Sequence, residues 1–132
     1  MTRGDLRFAH KRVVVTGGAG FLGSRVVAAM KRWGYRSVFV PRKRDHDLVD
    51  GRAVARLLAE HPAELIVHLA AVVGGIGANR ATPGRFFYEN LMMGAQLIEE
   101  AERKLVWSRA ARVPWKQISG ELGCDRTTAW RR

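Results

Sequence analysis

Arg12-Val-Val-Val-Thr16, running directly into Gly17-Gly-Ala-Gly20-Phe-Leu-Gly23, is the stretch that decides the fold. The first five residues are a β-branched run of the kind that a parallel sheet buries on both faces. The glycines make a turn. Beyond it Phe21, Leu22, Val26, Val27, Ala29 and Met30 recur at helical spacing, with Arg25, Lys31 and Arg32 off that stripe. Trp33-Gly34 closes the predicted helix with a C-terminal glycine.

Downstream the pattern repeats. Ser37-Val-Phe-Val40 reads as a second strand, stopped by Pro41. Asp50 can cap a helix over Gly51 to Glu60, with Val54, Leu57 and Leu58 inward and His61-Pro62 at its end. Leu65-Ile-Val-His-Leu69 reads as a third strand, Ala70 to Ala81 as a glycine-rich loop, and Pro83 to Arg103 as a long helix. In that helix Phe87, Leu91, Met92, Leu97 and Ile98 are spaced for burial. Strands alternating with helices of this length specify an α/β fold with a parallel sheet.

The chain has 132 residues, enough for one ordinary domain, and its 47% hydrophobic and 27% charged residues exclude a disordered chain. No apolar run approaches the roughly 18 residues of a membrane span, so no membrane partner is expected. Met1 to Arg12 has no apolar core of a secretory signal. The single cysteine, Cys124, cannot form an internal disulfide, which fits a reducing cytoplasm, and the four histidines show no metal-ligand spacing. The net charge is +11, and residues 103–132 carry +6 of it. Such density attracts polyanions, although a solvated basic surface has the same composition.

Gly17-x-x-Gly20-x-x-Gly23 carries the strongest chemistry. Between a strand and a helix, such a turn lets backbone approach a pyrophosphate, and the helix start supplies N–H groups and a positive dipole end. Gly23 would let helix and strand pack closely. A glycine turn with no ligand is the plainer alternative.

Val13 to Ser24 resembles the start of an extended short-chain dehydrogenase/reductase. His68-Leu-Ala-Ala-Val-Val-Gly-Gly-Ile76 narrows the resemblance to the GDP-L-fucose synthase family, NADP-dependent epimerase/reductases of nucleotide sugars. Asp47-Leu-Val-Asp50, Ala78-Asn79 and Pro83-x-x-Phe86-x-x-x-Asn90 match that family at corresponding intervals. The resemblance runs from Lys11 to about Val106. It implies a Rossmann-like domain in which Gly17, Gly20, Phe21 and Leu22 line the pyrophosphate. Asp47 and Leu48 would lie near the adenine, and Leu69, Ala70 and Ala71 beside the two riboses.

Charge bears on the cofactor. An NAD site wants a carboxylate at the end of the second strand, to accept from the ribose 2′-hydroxyl. Pro41-Arg42-Lys43-Arg44 stands there instead. Arg42 and Arg44 suit the 2′-phosphate of NADP, while Asp45 keeps NAD open and a solvated basic turn is the bland reading.

The family's chemistry uses a Tyr-x-x-x-Lys helix. The only tyrosines are Tyr35 and Tyr88, followed four residues on by Phe39 and Met92, so no catalytic residue is named. After Lys104 the sequence changes character. Pro114 suits the first turn of a helix, Ile118 and Leu122 share a face, Gly123 turns the chain, and Asp125 can cap a second helix. This segment resembles the helix-turn-helix of small DNA-binding proteins, and also a basic amphipathic tail with no DNA role.

The expected organisation is therefore an extension over 1–10, a truncated NAD(P)-binding Rossmann-like domain over 11–104 and a short basic helical tail over 105–132. Two functions of different class fit. One is the NADP-binding portion of a nucleotide-sugar epimerase/reductase that binds cofactor without turnover. The other is a DNA-binding protein acting through the tail, whose cations would give weak, non-specific contact with phosphates. A fused or frameshifted reading frame would also produce the abrupt change near Leu105. With no further strand beside it, Leu65 to Leu69 would be an open apolar edge through which copies associate.

Overall fold

A computed structural model describes residues 9–110, the last six of them as helix backbone. The chain divides into two compact units, Met1–Glu100 and Ala101–Arg132, and the packing described here belongs to the first. The element order is β1 (Arg12–Thr16), α1 (Phe21–Arg32), β2 (Ser37–Phe39), α2 (Gly51–Glu60), β3 (Leu65–His68), α3 (Ile76–Ala81) and α4 (Pro83–Ala110).

The three strands form one parallel sheet in the order β2-β1-β3, with Val13 opposite Val38 on one side and opposite Leu65 on the other. Val13, Val14 and Val15 are all essentially inaccessible to solvent. Successive side chains of a strand point to opposite faces, so both faces of β1 are covered. Each such valine contributes on the order of 1.5–3 kcal/mol by burial. Val13 and Val15 pack with Met30 of α1, surrounded by Val26, Val27, Val38 and Val67.

The helix ends follow from local chemistry. Gly34, at φ 90°, ends α1 in a left-handed turn, with its N–H donating to the Lys31 carbonyl and that of Tyr35 to the Met30 carbonyl. Asp50 caps α2, its carboxylate accepting from the Arg52 N–H at 2.9 Å. Glu64 ties the start of β3 to that of β1, accepting from the Arg12 N–H and from Lys11 Nζ, both at 3.1 Å. These donors hold its carboxyl below the usual range.

Three features differ from the expectation. The loop after β3 contains a short helix, α3, which Gly75 opens and Thr82-Pro83 ends. Helix α4 continues past Lys104 to Ala110, so no helix end marks the change of sequence character there. Its buried face is Met93, Leu97 and Glu100, one stripe at spacings of four and three, whereas Phe87, Leu91 and Ile98 are more than half exposed. Of the residues expected to face inward on α4, Leu97 alone is buried and Met92 is intermediate. The helix-turn-helix resemblance and the tail beyond Ala110 lie outside the described residues. Among the described residues no helix is long and apolar enough to cross a membrane.

Candidate dinucleotide site

Because β2 and β3 flank β1, the chain reverses its strand order at β1, and the carboxyl ends of β1 and β3 open onto a crevice. A cleft of about 450 Å³ occupies that place. Its floor is the turn between β1 and α1. Gly17 has φ 68°, a left-handed conformation, and a Cβ there would come within 2.5 Å of the Ala70 backbone nitrogen. At Gly23 a Cβ would collide with the Gly17 carbonyl, so the helix approaches the turn this closely because Gly23 has no side chain, while the bare Gly17 admits the loop after β3. Gly20 is different. Its backbone is extended, the nearest atom to an added Cβ is the Gly17 oxygen at 3.2 Å, and the residue is exposed to the cleft.

Gly20 precedes α1 and no side chain caps that helix. The N–H groups of Phe21, Leu22 and Gly23 belong to the first turn, where no intrahelical acceptor exists. These three residues line the cleft, and Phe21 and Leu22, which share the helical spacing of α1 and which the resemblance places at the pyrophosphate, are exposed there. A bare helix start over a glycine turn fits a pyrophosphate in shape and in dipole.

The second wall comes from the segment after β2. Arg42, Lys43, Asp47 and Leu48 line the cleft; Arg44 does not. Arg44 lies in solvent with its Nε 3.3 Å from Asp45 Oδ2, and Lys43 Nζ is 3.9 Å from Asp47 Oδ2. Among the described residues Arg42 makes no ion pair. Asp47 Oδ1 accepts from the Val49 N–H, which shapes the turn around Leu48. His46, buried and also in the wall, faces Glu60 Oε2 through Nε2 at 3.1 Å.

The third wall is the backbone of Leu69, Ala70 and Ala71 after β3. Fully buried Thr16 fixes it: the Leu69 N–H donates to the Thr16 carbonyl at 3.0 Å and the Ala70 N–H to Thr16 Oγ1 at 3.4 Å. Thr16 Oγ1 also lies 2.6 Å from His68 Nδ1, and in the Nε2-protonated tautomer the hydroxyl donates to that nitrogen. Loss of hydration on this edge of the ring pushes the His68 pKa below the ordinary imidazole value.

Eleven of the twelve residues singled out from the sequence thus line one cleft, Arg44 being the exception. Lys43, His46, Val72 and Met93 line it as well and were not singled out. Lys43 carried a legible signal, its place in the basic run. His46 and Met93 carried none, because what brings them to the wall is how the segment after β2 and helix α4 pack.

The family of NAD dependent epimerase/dehydratases matches residues 13–113. The chain belongs to this family. Among curated relatives it is 32% identical to the GDP-L-colitose synthase of Yersinia pseudotuberculosis over 91 residues, which are 69% of this chain and 29% of that one. With the GDP-L-fucose synthase of Azorhizobium caulinodans it shares 33% over 96 residues, 73% of this chain and 30% of the relative. A solved structure titled as a GDP-mannoheptose C4 reductase from Campylobacter jejuni with NADP bound superposes with a TM-score of 0.66 at 27% identity. That match covers 70% of this chain and 29% of the other. The chain therefore spans a little under a third of the length of these relatives.

Proposed function

We propose that this chain is the NADP-binding portion of a nucleotide-sugar epimerase/reductase of the GDP-L-fucose synthase kind. The observation that carries the reading is the cleft at the carboxyl ends of β1 and β3, with a Cβ-intolerant glycine turn as floor and cations in one wall. The name of the Campylobacter reductase, which includes bound NADP, and those of the GDP-sugar synthases support it. Gly17, Gly20 and the first N–H groups of α1 hold the pyrophosphate. Asp47 and Leu48 meet the adenine, and Leu69, Ala70 and Ala71 the riboses. Arg42, with Lys43 beside it, meets the 2′-phosphate. Arg44 engages Asp45, the carboxylate that would otherwise favour the ribose hydroxyl of NAD.

When bound, NADP supplies hydride chemistry at its nicotinamide. The 132 residues contain no Tyr-x-x-x-Lys, so they hold the cofactor without turning a sugar nucleotide over. The single cysteine supports a cytoplasmic setting, and the β3 edge, which no further strand covers among the described residues, supports association between copies.

Calorimetry with NADPH and NADH tests this reading. Wild type should prefer NADPH, Arg42→Ala should erase most of that preference, and Gly20→Leu should abolish binding while the chain stays folded. Equal affinities for both cofactors in wild type would reduce the basic run to a solvated turn.

The density of positive charge in residues 103–132 favours a second reading, contact with duplex DNA. Such contact is non-specific, and its affinity falls with a log–log salt slope of about −0.9 per phosphate neutralised. Gel shifts at two salt concentrations, with the full chain and a chain ending at Lys104, decide it. Unchanged affinity after the deletion would remove the tail as a nucleic-acid contact.

A further inference from the structure

Two walls of the cleft are loops without regular structure, and each is tied to α4 by one carboxamide. The Asn90 side chain pairs with Val72 as one peptide group pairs with another: Oδ1 accepts from the Val72 N–H at 2.8 Å and Nδ2 donates to the Val72 carbonyl at 2.9 Å. The second Nδ2 hydrogen goes to the Phe86 carbonyl of its own helix at 2.8 Å, so both donors of the amide are used. One turn earlier the Phe86 ring occupies the space that a Cβ on Gly74 would need. The Asn79 amide donates to the Gly74 carbonyl at 2.9 Å.

Gln96 does the equivalent on the other side. Its Nε2 donates to the Val49 carbonyl at 2.6 Å, immediately after Asp47 and Leu48. Its Oε1 lies where a Cβ on Gly51 would be, so a glycine at the first position of α2 is what admits this side chain. Asp50, between them, caps α2, so the loop is held at its α2 end by two adjacent residues.

We propose that Asn90 and Gln96 are positioning residues that set the two halves of the dinucleotide site separately. Asn90 fixes the loop after β3 at Val72, beyond the ribose-facing Leu69–Ala71 and toward the nicotinamide side, and Gln96 fixes the loop before α2 that faces the adenosine. The two positions are six residues apart, about 9 Å of helix rise, so a single rigid element spaces the two loops. The proposal rests on the cofactor reading above and adds a division of labour to it.

Titration of the full chain with NADPH and with adenosine 2′,5′-bisphosphate, which has only the adenosine half, separates the roles. Asn90→Ala should weaken NADPH roughly tenfold, as expected for losing the two hydrogen bonds to Val72, while leaving the bisphosphate within about twofold. Gln96→Ala should weaken both ligands by the same factor. Amide hydrogen exchange without ligand provides a readout that general destabilisation would not give. Protection should fall at 72–73 in the first variant and at 47–50 in the second, with β1 unchanged in both.

Failure of wild type to bind NADPH overturns the cofactor reading and the positioning roles with it. If wild type binds but both variants lose both ligands equally, or exchange rises uniformly along the chain, the positioning assignment alone is overturned.

Discussion

At the scale of single residues, the glycine motif separates into folding and binding positions. Gly17 has a positive φ and backbone within 2.5 Å of where a Cβ would sit, so Gly17→Ala should cost on the order of 2–4 kcal/mol of stability. At Gly20 an added Cβ meets only the Gly17 carbonyl oxygen, at 3.2 Å and with no positive φ, so Gly20→Leu should cost clearly less stability than Gly17→Ala. Thermal denaturation of the two variants side by side checks the contrast, and equal losses would contradict it. Thr16 and His68 give a pH-dependent counterpart. The His68 pKa lies below the ordinary imidazole value, so the unfolded chain takes up the proton first. Stability should hold above about pH 6.5 and decline as the pH falls through the lower, folded-state pKa. Because much of His68 is exposed, the decline is small. Denaturant midpoints measured from pH 7.5 to 5 should show it in wild type and lose it in His68→Asn.

Among the elements, α2 shows how completely a short sequence can specify itself. Asp50 caps it, and Ala53, Val54, Leu57 and Leu58 give one continuous buried face. Asp50→Ala should cost about 1 kcal/mol in urea denaturation. A loss well above that would mean that Asp50 also supports the neighbouring loop that Gln96 holds. The strands were nearly as legible, β2 and β3 each ending one residue before the sequence reading, and α1 was legible in span although Phe21 and Leu22 of its stripe are exposed. Helix α4 was legible as a helix but not in its orientation. Phe87, Leu91 and Ile98 make a convincing apolar stripe, yet the face turned inward carries Met93, Leu97 and the charged Glu100. Spacing identifies a stripe; it does not say what covers it. Helix α3 escaped notice because six residues in a glycine-rich stretch give almost no periodic signal. The anchoring of the cleft loops was illegible for another reason. Asn90 and Gln96 bond to backbone far away in sequence, and a carboxamide reaching a carbonyl leaves no pattern of its own.

At the scale of the whole molecule, the described residues form a three-stranded sheet with β2 and β3 on its outside. On β3, Leu65, Ile66 and Val67 are only partly buried, and the strand's outer hydrogen-bonding groups have no fourth strand to pair with among the described residues. Sedimentation velocity over a hundredfold concentration range should show association that increases with concentration; a strictly monomeric boundary throughout would contradict a role for this edge. The central claim, though, concerns the cleft, and amide chemical shifts under NADPH titration test it most directly. Saturable shifts should be confined to Gly17–Gly23, Arg42–Leu48 and Leu69–Val72, and absent in Gly20→Leu. No saturable shift, or shifts centred away from these three segments, would contradict it.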